Sequence, residues 1–222
     1  MDELMELAAA ALGRQAWLEA ERGAYQALGL AREHGDFEQM AKVVEPLAEA
    51  RRRRLEKALD VRKIKIVDTT LPEGKQLERG CYLVQPPLVG ADARQLRLTA
   101  VAAEVPVAVV CREPLTLTRM WPIVAIGPGA TVRLPIEPPD DQEHPDLAWF
   151  VAALKALGDW AIEGLDPALE PVRRVDTLLD RLETVADHQG LHECLRDACL
   201  AAHKALADDP GSSRPSEAKV QA

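Results

Sequence analysis

With 222 residues, 47% of them hydrophobic, the chain can bury a core as one domain or two small ones. Its net charge is -9 and its aromatic content only 4%, so Ala and Leu carry most of the packing. No apolar run approaches the length of a membrane span, VPVAVVC being strand-sized, and the acidic opening MDELMELAAAALGRQAW argues against a signal peptide.

The first 61 residues read as a helical hairpin region. Residues 3–12 suit a short Ala/Leu helix. Over 15–34, Trp17, Ala20, Ala24, Leu28 and Ala31 recur at helical spacing. Gly35 is suited to the left-handed turn that ends that helix, and Asp36 to capping the next. The following helix buries Phe37, Met40, Ala41, Val44, Leu47 and Ala48, and its register continues to Leu55 and Leu59.

The segment LGLAREHGDFEQMAKVVEPL resembles the centre of a tetratricopeptide repeat, on Gly35-Asp36-Phe37 at the turn and the small or apolar residues beside it. The resemblance covers about one repeat. Met40 stands where that family favours a small residue, and no second repeat follows in register. An antiparallel helical hairpin is therefore the expectation, not a solenoid.

The same region ends in EARRRRLEKALDVRKIKI. Residues 51–65 hold eight basic and two acidic side chains, whereas residues 1–50 hold four basic and ten acidic ones. Arg51, Arg52, Arg53, Arg54, Lys57, Arg62 and Lys63 are the candidates for an interaction or anion-binding surface. Successive helical residues point about 100° apart, so four arginines in a row cannot all face one ligand. Pairs Glu49–Arg53 and Arg52–Glu56 fall at i,i+4 and contribute about 0.2–0.5 kcal/mol each. No aromatic residue is interleaved to stack bases. The run reads first as a solvated helix end or a contact for acidic groups, which the acidic regions of the chain itself also offer. RNA is the alternative partner.

Residues 62–138 read as a mixed α/β region. KIKIVD alternates as a half-buried strand, CYLVQ is a short apolar strand, and VPVAVVC is a fully buried one. ADARQLRLTAVAAE between them has helical composition. Strand, helix, strand makes a βαβ crossover with parallel strands. WPIVAI and ATVRLPI flank Gly127-Pro128-Gly129 as a hairpin, and Pro122 and Pro135 are expected to push both strands to a sheet edge.

Residues 146–207 return to helices, with Gly190 separating the last two, and 208–222 have the composition of a disordered tail. Trp17, Trp149 and Trp160 follow apolar helical spacing and read as core residues. The fold class is α/β or α+β: a small mixed sheet with a βαβ crossover and C-terminal β-hairpin, flanked by N- and C-terminal helical hairpins.

Chemistry is sparse. Parallel strand ends gather Asp68, Thr69, Gln85, Gly90, Asp92 and Arg112 as a candidate ligand crevice, with amides near Gly90 open to an anion. Neither GxGxxG nor a Walker-type loop is present. His192, Cys199 and His203 share a helical stripe, but His192 lies about 10 Å along the helix from Cys199, too far for one ion, so no metal site or cofactor is assigned. The four cysteines form no CxxC pair and read as reduced thiols of a cytoplasmic protein. The first functional expectation is a non-enzymatic interaction or adaptor protein with a protein partner. The alternatives are a small-ligand or nucleotide-binding α/β domain using the strand ends, which leaves an enzyme open, and an RNA-associated protein using 51–65.

Overall fold

The alternation of apolar residues in two central strands organises the molecule. The computed structural model describes residues 2–70, 76–114 and 119–208. Strands β1 (Ile64–Val67), β2 (Gly80–Val84), β3 (Val107–Arg112), β4 (Trp121–Ile126) and β5 (Thr131–Ile136) form one sheet in the order β1-β2-β3-β4-β5. β1, β2 and β3 run parallel, while β4 and β5 are antiparallel to their neighbours. The expected crossover is present: helix α4 (Gly90–Ala102) joins β2 to β3.

Side chains alternate across this sheet with period two. Cys81, Leu83, Ala108, Val110, Trp121 and Ile123 enter the larger core with the long helices. Tyr82, Val84, Val107, Cys111 and Val124 enter a smaller core with Ala93, Leu96 and Ala100 of α4. Both faces of β2 and β3 are thus covered, which is why these strands read as continuous apolar runs.

Helices α1 (Asp2–Gly13), α2 (Trp17–Glu33) and α3 (Phe37–Leu59) precede the sheet; α5 (Leu147–Glu163), α6 (Pro171–Thr184) and α7 (Gln189–Asp208) follow it. Gly35 has φ +66 between α2 and α3, and Asp36 accepts a hydrogen bond from the Gln39 amide at 3.0 Å, as the sequence predicted. α3 packs on β2 and β3, α5 on β3, β4 and β5, and α7 on α3, α5 and α6. The larger core takes residues from both helical regions and from the sheet. No described helix is long and apolar enough to cross a membrane.

Three details differ from expectation. β4 is internal, not an edge strand: Pro122 sits directly opposite Pro135, where neither ring nitrogen is asked to donate, and the Pro122 carbonyl accepts from the Glu113 amide at 2.9 Å. The break before α7 lies at Val185–His188, and Gly190 falls inside its first turn. Trp160 is 49% exposed and is not a core residue. Trp149, partly buried, packs edge-on against buried Trp121 with centroids 5.3 Å apart. The expected tail lies outside the described residues except for Asp208, the last residue of α7.

One feature of the sheet prepares the site. β3 and β4 pair only at Cys111–Val124 and Arg112–Ile123. Val107 to Val110 lie outside that register. The end of α6 and the α6–α7 segment pack where the strands part: the Thr184 hydroxyl donates to the Ala130 carbonyl at 3.3 Å, and a side chain on Gly127 would strike Thr184.

Candidate functional site: an arginine-lined cleft

Half of the arginine run is inside the protein. α3 carries its core stripe at alternating fours and threes through Met40, Val44, Leu47, Arg51, Arg54 and Ala58, so Arg51 and Arg54 share the buried face. They are 5% and 2% exposed. Of the two expectations for the run, the solvated helix end does not describe these two residues; they contact acidic groups of the chain itself. Arg52 and Arg53 remain outside and pair with Glu49 and Glu56, as the helical spacing predicted. Lys57, Arg62 and Lys63 are exposed.

The buried pair meets acids from distant parts of the chain. Glu21 of α2 accepts from Arg51 Nε at 2.9 Å and from Arg54 Nε at 2.7 Å. Arg54 also donates to Asp187, between α6 and α7, and to the Val107 carbonyl at 3.2 Å, in the part of β3 that β4 has left. Burial works against the Glu21 charge, but the Arg54 and Arg51 guanidinium groups outweigh it and hold its pKa below the usual carboxylate range. Burial likewise opposes the Arg54 charge, and Asp187 and Glu21 overcome it, so its pKa is raised.

His192 of α7 closes the other side. Its Nδ1 lies 3.0 Å from the His188 carbonyl and must carry the proton, leaving Nε2 to accept from Arg51 Nη1 at 3.4 Å. Burial, and then the Arg51 charge, push its pKa down to about 3. His192 is therefore a neutral buried partner of an arginine.

α4 adds two more guanidinium groups. Arg97 donates from Nη1 to the Thr184 carbonyl at 3.1 Å and from Nη2 to the Glu183 carbonyl at 2.8 Å, so it caps the end of α6 and has no carboxylate in its hydrogen bonds. Burial lowers its pKa, and Arg51 and Arg54 add to that effect against Asp187 and Glu21. Arg94 has no hydrogen-bond or ion-pair partner among the described residues, and its Nε is shielded from solvent.

These groups line one cleft of about 260 Å³ between α2, α3, α4 and the end of α6. Arg22, Arg51, Arg54, Arg94 and Arg97 face it together with Glu21 and Glu183. Arg22 is paired with Glu104 at 2.8 Å, and Glu183 accepts from the Tyr25 hydroxyl. Burial and then that carboxylate push the Tyr25 pKa up to about 12. Within the buried network two carboxylates, Glu21 and Asp187, bind two guanidinium groups, Arg51 and Arg54; Arg97 is held by carbonyls, and Arg94 has no hydrogen-bond or ion-pair partner among the described residues.

Comparison with protein-family models, with curated proteins and with solved structures returned no match.

The strand-end residues come together only in part. Gln85 accepts from Arg112 Nη2 at 3.0 Å, and the Arg112 guanidinium lies 4.4 Å from the Trp121 ring centroid. Asp92 is committed to its own helix: it accepts from the Val89 amide at 2.8 Å, so its carboxylate stands at the α4 N-terminus beside the amides named as open to an anion. Gly90 is buried, and a Cβ there would lie 2.7 Å from Ile126 Cδ1. Asp68 and Thr69 are exposed beyond β1. No group of three or more His, Cys, Asp or Glu among the described residues is placed to hold a metal ion.

Sequence reasoning missed Arg22, Arg94 and Arg97. A signal existed for the last two. They are three residues apart on α4, and neither has an acidic residue three or four positions away, so the helix itself offers no counter-charge.

Proposed function

We propose that the chain is a binding protein for a small anionic molecule carrying a phosphate or carboxylate, held in the arginine-lined cleft. The observation that supports this reading is the excess of guanidinium groups over carboxylates there. Removing charge from water is costly unless it is compensated. Among the described residues none of the five N–H donors of Arg94 meets an acceptor, and Arg97 has committed two of its five. Guanidinium forks match phosphate and carboxylate oxygens in pairs, which makes them suited to such a ligand.

The cleft supports this reading over the RNA alternative because it is concave and recessed. The outward-facing residues of segment 51–65 include Arg52 and Arg53, which are already paired along their own helix. It supports it over an adaptor role because an uncompensated charge calls for a ligand of opposite sign, whereas scattered exposed apolar residues such as Leu7 and Leu200 are ordinary surface.

Isothermal titration with inorganic phosphate, pyrophosphate and citrate tests the proposal. The protein should bind at least one of them with an affinity that weakens as salt rises. Arg94→Gln should weaken binding at least tenfold, and Arg53→Gln should leave it unchanged. Absence of binding by all three anions in the millimolar range, or equal effects of the two substitutions, would sink the reading.

A further inference from the structure

A second cavity lies against the first. It measures about 420 Å³ and occupies the place where β3 and β4 part, bounded by Leu55 and Leu59 of α3, Val109, Ala125, and Val151 and Leu154 of α5. Its walls are mainly aliphatic. The polar side chains around it are engaged: Lys155 pairs with Asp159, and Asp159 Oδ1 lies 3.2 Å from His188 Nε2. Arg97 and Ala186 line this cavity and also the arginine-lined cleft. A cationic side chain therefore stands at the boundary between a charged recess and an apolar one.

We infer that the ligand is a single-chain amphiphile, with its phosphate or carboxylate head on Arg94 and Arg97 and its alkyl chain in the cavity behind Arg97. The inference rests on the anion-binding reading and narrows it. A head group alone would leave the aliphatic walls of Leu55, Leu59 and Leu154 unfilled, and apolar cavities of this kind take up apolar guests rather than water. A neutral alkane would leave the guanidinium excess uncompensated. The juxtaposition of the two recesses selects a molecule with both parts.

Titration of the full chain with inorganic phosphate and with butyl, hexyl and octyl phosphate below their micellar concentrations is the test. Each methylene that enters the cavity should tighten binding by about fourfold. Leu154→Trp, which fills the cavity from one wall, should flatten that dependence while inorganic phosphate binds as before. The wild-type series decides even if the variant unfolds. Equal affinity for phosphate and its alkyl esters overturns the amphiphile and leaves the anion site standing. Failure of citrate as well as every phosphate to bind overturns both. Octyltrimethylammonium binding as tightly as octyl phosphate overturns the role given to Arg94 and Arg97. Sedimentation with phosphatidic-acid vesicles separates a free amphiphile from a bilayer lipid: vesicle binding without octyl phosphate binding also overturns the inference.

Discussion

Arg54 Nε donates to Glu21 Oε2 at 2.7 Å, joining side chains 33 residues apart in a place that water scarcely reaches. Glu21 serves Arg51 through its other oxygen. Removing the acid leaves Arg51 without a carboxylate and Arg54 with Asp187 alone in a low-dielectric setting, which is the costly way to break a buried ion pair. Glu21→Leu should therefore lower the unfolding free energy by about 3–5 kcal/mol. Arg53→Ala, on the same run but exposed, should change it by less than about 1 kcal/mol. Urea unfolding of the two variants checks both, and similar losses would show that burial does not distinguish the arginines.

Acid should weaken the fold in two stages. His192 is neutral in the folded protein down to about pH 3, while an unfolded histidine takes up its proton near 6.5. Above 6.5 neither state is protonated and the group adds no pH dependence. As pH falls below about 6.5, the unfolded chain gains a proton that the folded chain refuses, so stability drops by at most about 1.4 kcal/mol per pH unit until the folded pKa is reached. Glu21 contributes lower down. Its folded pKa lies below 4.5, so its stabilisation is present above that value and is lost as pH falls through the folded pKa. Denaturation curves at pH 7.5, 6.0 and 5.0 should show the first stage, and His192→Gln should reduce its slope. His188, whose pKa burial also lowers, keeps part of the slope in that variant. Parallel curves for the two proteins would remove the account of His192 as a neutral partner of Arg51.

The parts of the fold that are locally encoded were readable. The β2–α4–β3 crossover follows from two apolar runs separated by a helix, and the α2–α3 turn from Gly35-Asp36. The inner position of β4 was not, because Pro122 and Pro135 argue for edges singly and only their opposition in register reconciles them with the sheet. The cleft was half legible. Arg51 and Arg54 continue the four-three stripe of Met40, Val44 and Leu47, and Glu21 sits within the apolar stripe of α2, so charges on buried faces were visible. What one dimension hides is that Glu21 and Asp187 converge on Arg54 from 33 and 133 residues away, and that α4 brings Arg94 and Arg97 beside them. At the strand ends the local pairings are short-range or pairwise: Asp92 accepts from the amide of Val89, and Gln85 from Arg112.

Two helical glycines should respond oppositely to alanine. At Gly29 of α2 an added Cβ meets nothing within 4 Å, so Gly29→Ala should stabilise the protein by up to about 1 kcal/mol through helix propensity alone. At Gly158 of α5 the Cβ would lie 1.9 Å from His188 Cγ. The imidazole has to move, and it is fixed at both ends: Nδ1 accepts from the Leu191 amide at 3.3 Å in the first turn of α7, and Nε2 faces Asp159. Gly158→Ala should cost about 1–3 kcal/mol despite the better propensity. Thermal unfolding of the two variants gives shifts of opposite sign, and a stabilised Gly158→Ala would mean that His188 does not occupy that seat.

The cysteines offer a probe that needs no substitution. All four are free thiols. Cys81, Cys111 and Cys199 are buried, and burial pushes their pKa values to about 11, about 12 and about 12. Cys194 is half-buried, with its pKa raised as well. The thiolate is the reactive form, so at pH 8 the three buried groups are slowed by a small thiolate fraction and by the absence of an approach path. Ellman's reagent should titrate one thiol, slowly, in the native protein and four in urea, and Cys194→Ser should abolish the native reaction. Rapid release of two or more equivalents before unfolding would place Cys81, Cys111 or Cys199 in contact with solvent, and with it open the core on one face of the sheet.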